Sequence, residues 1–187
     1  TDREIARQFC DSLRKLMQDC GYTGATGTDK DALRQMKAFL RRAFQGLGTD
    51  DVITDKTLGR WLSGESSPDH SETSRESVFQ LMLALKVTLE QSAVFFQKAY
   101  YSQPFNFRSI HECIYYWCLK NRRSWETVQA MKAQIAEMQR TLPELHSFSG
   151  ETVRLGKSLS EIETQSEAVI YIANNVLPDE VYFHRAK

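Results

Sequence analysis

The sequence predicts an all-α fold, a compact bundle of about eight helices. Three observations carry that prediction. Apolar residues recur at spacings of three and four through most of the chain, the period of helices buried along one face. No segment keeps the period-two alternation of strands joined by hairpin turns. Only 9 Gly and 4 Pro in 187 residues leave little material for a loop-rich β fold.

The elements follow in order. Residues 3–20 put Ile5, Phe9, Leu13, Leu16, Met17 and Cys20 on one face, and Gly21 ends the pattern. Residues 30–47 carry Leu33, Met36, Phe39, Leu40, Ala43, Phe44 and Leu47, with Thr28 or Asp29 as cap and Gly46 and Gly48 at the end. A short helix over 55–63 has Thr54 or Asp55 as cap and Leu58, Trp61 and Leu62 as its apolar side, and it stops at Gly64. Thr73 and Glu76 fit a capping box for a helix over 74–86, and Thr88 and Gln91 fit a second for a helix over 89–100. After the Pro104-Phe105-Asn106 turn, a helix over 107–120 turns Ile110, Cys113, Ile114, Trp117 and Cys118 inward. Ser124 caps a helix over 125–140, and Leu142–Gly150 is a looser connection. A short helix over 151–162 precedes a third box, Thr164 with Glu167, and a final helix over 165–176.

Composition bounds the function. The chain balances 24 basic against 24 acidic residues, which removes a strong basic excess as an argument for nucleic-acid binding. A local field remains open. Between residues 30 and 60 seven cations (Lys30, Arg34, Lys37, Arg41, Arg42, Lys56, Arg60) face four carboxylates (Asp31, Asp50, Asp51, Asp55), an excess of +3. Arg34, Lys37, Arg41 and Arg42 fall largely off the apolar stripe, as on any solvated helix surface.

Cys10 and Cys113 lie among apolar neighbours and read as buried free thiols. Four cysteines in a chain of this length do not read as a disulfide framework, which favours a reducing cytoplasm. No apolar run approaches the roughly 20 residues of a membrane span. No signal peptide is visible where Asp2, Arg3 and Glu4 are charged, and the opening Thr1 is compatible with a piece of a longer protein.

Catalytic and metal chemistry finds no pattern to rest on, so the expectation is a non-enzyme without metal or cofactor. His70, His111, His146 and His184 are scattered, and none has an i, i+4 ligand partner. His111 and Cys113 do not share a helix face, nor do Cys113 and Cys118. Gly21, Gly24 and Gly27 lack the Lys-Ser/Thr and the strand of a phosphate loop, and Ser63-Gly64 lacks a nucleophile elbow. Glu161 and Glu163 read as solvated.

One run has a distinct cadence. Val52-Ile53-Thr54-Asp55-Lys56-Thr57-Leu58-Gly59-Arg60-Trp61-Leu62-Ser63-Gly64-Glu65 leads into the polar loop Ser66-Ser67-Pro68. A helix ending in Ala84-Leu85 follows, then Val87 and a last helix over Thr88–Tyr100. This order resembles the recognition-helix half of phage-repressor (Xre-type) helix-turn-helix domains, over about residues 52–101. The resemblance implies a bacterial or mobile-element regulator that binds double-stranded DNA, commonly as a homodimer. Leu58 and Trp61 would anchor the recognition helix, Lys56, Thr57 and Arg60 would face bases or phosphates, and Arg41 and Arg42 would contact phosphates. The chain departs from the family in its long preceding helix and in the connection Gly46–Asp51, and Asp50, Asp51 and Asp55 would oppose a phosphate. On this reading residues 1–101 are a helix-turn-helix-like lobe and 102–187 a helical extension packed on it, unless the whole is a single domain.

The run Phe95-Phe96, Tyr100, Pro104 through Arg108, Glu112, Ile114 through Cys118 and Asn121 is similar to uncharacterised bacterial proteins with further helices after such a motif. Here Tyr115 and Tyr116, beside Trp117, suit either core packing or an aromatic patch for a protein partner. The competing function is therefore a protein-interaction or sensing module of a larger bacterial protein that keeps the helical scaffold without DNA contact.

Overall fold

The computed structural model describes residues 1–48, 53–141 and 152–178. Among them every regular element is a helix and no strand occurs. The chain is all-α, and it divides into two units, Thr1–Pro104 and Phe105–Lys187. No helix among the described residues is long and apolar enough to cross a membrane.

The first unit holds α1 (Asp2–Asp19), α2 (Lys30–Leu47), α3 (Asp55–Leu62), α4 (Glu72–Ala84) and α5 (Leu89–Lys98). Helix α3 packs on α1 and α2, and α4 packs on α2. The inward stripe of α1 is Ala6, Phe9, Cys10, Leu13, Leu16 and Met17. Ile5, an expected member, is 42% exposed. Helix α2 takes the predicted range, with the Asp29 carboxylate accepting the Ala32 N–H at 3.0 Å. Phe9 meets Trp61 and Phe95 edge-on at 5.5 and 5.4 Å, which joins α1, α3 and α5. Phe79 and Phe96 stack at 4.5 Å, and the Arg75 guanidinium lies over the Phe96 ring at 5.5 Å.

The chain leaving α5 is tied back to the loop before α4. His70 Nε2 lies 2.8 Å from the Tyr100 carbonyl, the Tyr100 hydroxyl donates to the Asp69 carbonyl, and Arg75 donates to Ser102 and to the Gln103 carbonyl. Helix α4 starts two residues before its predicted position. Ser71, not Thr73, is the cap, and its hydroxyl accepts the Ser74 N–H at 3.2 Å. The Thr88–Gln91 capping box is present in both halves.

The second unit holds α6 (Ile110–Lys120), α7 (Trp125–Thr141), α8 (Thr152–Ser160) and α9 (Gln165–Asn175). Like α9, helix α6 packs on the other three. It buries Glu112, Cys113, Ile114, Tyr115, Trp117, Cys118 and Leu119, so only a narrow strip reaches water. It begins at Ile110 rather than 107, because Ser109 accepts the Glu112 N–H. Phe107 stays outside the helix, and its ring packs where a side chain on Gly156 of α8 would stand, 2.7 Å from the Cβ position. The buried Glu112 carboxylate accepts the Asn106 N–H at 3.0 Å, and Trp117 donates its indole N–H to the Ile162 carbonyl at 2.9 Å. Gln139 of α7 donates to the Ala173 and Val176 carbonyls at 3.2 and 2.8 Å and closes the end of α9. Thr164 accepts the Glu167 N–H at 3.3 Å, one half of the predicted box.

Candidate nucleic-acid interface

Helix α3 is eight residues long, too short to be stable alone, so its order comes from its anchors. Locally, the Thr54 hydroxyl caps it by accepting the Thr57 N–H at 3.2 Å. Asp55 in the first turn complements the helix dipole. Leu58, Trp61 and Leu62 are buried.

Both ends are pinned by polar contacts. At the N-terminus the Asp55 carboxylate lies 3.1 Å from Lys37 and 3.8 Å from Arg41 of α2. At the C-terminus the Leu62 carbonyl accepts from Arg14 Nη2 at 2.7 Å and from the Cys10 thiol at 3.1 Å, both on α1. Gly64 then turns the chain with φ +76°, a left-handed conformation that side chains resist, and its Cβ position is only 3.7–3.8 Å from α1. Burial raises the Cys10 thiol above its ordinary pKa, a shift that Arg14 partly opposes, so it stays a protonated donor.

This frame leaves Lys56 and Arg60 exposed, one turn apart on the same face, with Thr57 half-buried between them. Lys56 has no ion pair among the described residues. Arg60 Nε lies 3.3 Å from the Glu65 carboxylate, and the Thr57 hydroxyl accepts from the Thr54 hydroxyl at 2.9 Å. The two arginines of α2 differ. Arg42 is exposed and without an ion pair among the described residues, whereas Arg41 is three-quarters covered and turned onto Asp55. Arg41 is therefore a strut between helices as well as a cation. Lys37, absent from the sequence-based candidates, makes the closer contact with Asp55; its spacing of four from Arg41 is the signal that could have found it. Asp55, expected to oppose a phosphate or to cap the helix, lies in its first turn and pairs with α2, while Thr54 is the cap. Asp50 and Asp51 lie outside the described residues, as do Val52, the 142–150 connection, His146 and His184.

The aromatic-patch alternative fails at Tyr115, which is fully buried with Lys132 Nζ 5.5 Å from its ring centroid. Tyr116 is half-buried, its ring edge-on to Phe105 and Phe107 at 5.1 and 5.0 Å. Both tyrosines belong to the packing of α6. The four cysteines are free thiols, and burial pushes Cys118 up to about 12. Among the described residues no three His, Cys, Asp or Glu side chains converge as a metal site.

No protein-family model, curated protein or solved structure matches the chain.

Proposed function

We propose that this chain is a non-enzymatic, helix-turn-helix-type regulator that contacts duplex DNA through the exposed face of α3. The observation that carries the reading is the pairing of Lys56 and Arg60 on one solvent face of a short helix clamped at both ends. A rigid short helix with outward cations suits insertion into a major groove, and Thr57 adds a hydroxyl at the same level. Arg42, on the preceding helix, would supply a phosphate contact. One such module covers little DNA, so a homodimer reading two half-sites is part of the proposal.

A second reading is favoured by the charge pairing itself. Arg41 and Arg60 each share their charge with a carboxylate, which lowers the net field available to a phosphate. That reading is a protein-interaction module built on the same scaffold.

Titration of duplex DNA at increasing salt separates the two. The DNA reading expects log affinity to fall linearly with log salt, with the slope reduced by about 1 for each phosphate-contacting cation removed by Lys56→Gln or Arg42→Gln. Absence of binding at low salt, or binding indifferent to Lys56→Gln, Arg60→Gln and Arg42→Gln together, favours the second reading.

A further inference from the structure

On the first unit, α1 and the C-terminal end of α3 enclose a cleft of about 560 Å³ lined by Arg3, Arg7, Arg14, Asp11, Ser63 and Glu65. We infer that this cleft binds the phosphate group of a small anionic ligand, at a site separate from the outward face of α3.

Arg3, Arg7 and Arg14 are spaced by four and seven, so all three stand on one stripe of α1 and line the cleft. A stripe of like charges is unfavourable in itself and is stabilised by an anion. The carboxylates present do not cancel it. Glu65 is 3.3 Å from Arg60, which leaves Asp11 as the one other acid on the lining. Arg3 and Arg7 are exposed and have no ion pair among the described residues. Arg14 spends its Nη2 on the Leu62 carbonyl and adds its charge to the same lining.

The remaining lining suits the same chemistry. Ser63 and Thr28 bring hydroxyls, and Gly64, with no side chain, keeps the mouth open beside Arg7 and Cys10. Arginine forks match phosphate oxygens in geometry, which a chloride or a carboxylate-free apolar ligand would not use. The volume falls within the range of small-molecule pockets, and a concave site of this size favours a small phosphorylated solute over the flat backbone of a duplex.

The test is calorimetric titration of the whole chain with inorganic pyrophosphate at constant ionic strength, beside the variants Arg3→Gln, Arg7→Gln and Lys56→Gln. Arg3 and Arg7 are exposed, and glutamine is a good helix former, so these variants keep the helix. The expected result is saturable binding with a rise in Tm, weakened about tenfold or more by Arg7→Gln and unchanged by Lys56→Gln. Equal binding in the Arg3→Gln/Arg7→Gln double variant overturns the inference. So does an absence of saturable heat, including the case in which duplex DNA binds and depends on Arg7 while pyrophosphate does not. Failure of duplex binding by Lys56→Gln has no bearing on the pyrophosphate result, so the two proposals fail separately.

Discussion

Helices α3 and α6 both bury aromatic residues, but they differ in how much of their surface is covered. Helix α3 buries one side through Leu58, Trp61 and Leu62 and is held at its ends by charged and thiol donors from α1 and α2. Helix α6 is buried nearly all round and contributes Trp117, Tyr115, Cys113 and Cys118 to a core at the centre of its unit. A helix pinned at its ends keeps a face for other molecules. A helix clad on every side has given its side chains to stability. The exposed cations of α3 are thus where the proposed DNA contact is to be tested, and the aromatic richness of α6 is explained by packing.

Mutations can break this contrast. The largest effect is expected from Trp117→Ala, which empties a fully buried site and strands the Ile162 carbonyl; it should cost about 3–5 kcal/mol in chemical denaturation. A loss below about 1 kcal/mol would show that α6 is not central to the stability of its unit. Next, Arg14→Met keeps the apolar stem but deletes the donor to Leu62. A cost of about 1–2 kcal/mol is expected, together with faster amide exchange in α3. Unchanged exchange in α3 would show that the pin at its end is dispensable.

Smaller effects sharpen the contrast. Asp55→Asn removes an exposed partner of Lys37 and Arg41 and should cost less than about 1 kcal/mol. On the DNA reading it should also tighten duplex binding, because two cations lose their internal carboxylate; weaker binding would count against that reading. Gly59→Ala adds a Cβ 3.6 Å from Lys37 Nζ, an ordinary contact, and should stabilise the first unit by up to about 1 kcal/mol through helix propensity.

The acid limb provides a further check. Hydrogen bonds from Ser71, with a further one from Ser74, hold Asp69 down at about 2. Its folded value lies below the unfolded value of about 3.9, so its contribution is present above about pH 4 and lost as pH falls toward 2. Asp69→Asn should flatten the decline of Tm between those limits, and an unaltered decline would assign it to other carboxylates.

Much of the fold was legible because it rests on periodicity. The α2 range, the α3 cap at Thr54 and the Thr88–Gln91 box all depend on residues near one another in sequence. The errors have local competitors. Ser71 outcompetes Thr73 as a cap, and Ser109 caps α6 after Phe107 has turned away to meet Gly156. The site was legible only in part. Lys56 and Arg60 could be assigned to one face by counting, but the turning of Arg41 onto Asp55 requires the crossing of α2 and α3. The anchoring of α3 by Arg14 and Cys10 spans about fifty residues of sequence and leaves no local signal.

The most direct test of the division between a presenting helix and a buried one is an amide map. The ¹⁵N-labelled whole chain is titrated with duplex DNA at low salt, and backbone shifts are followed residue by residue. The largest perturbations are expected over Lys56–Arg60, with smaller ones at Arg42 and little change along α6. Perturbations concentrated on Ile110–Lys120, or none anywhere, would refute the division.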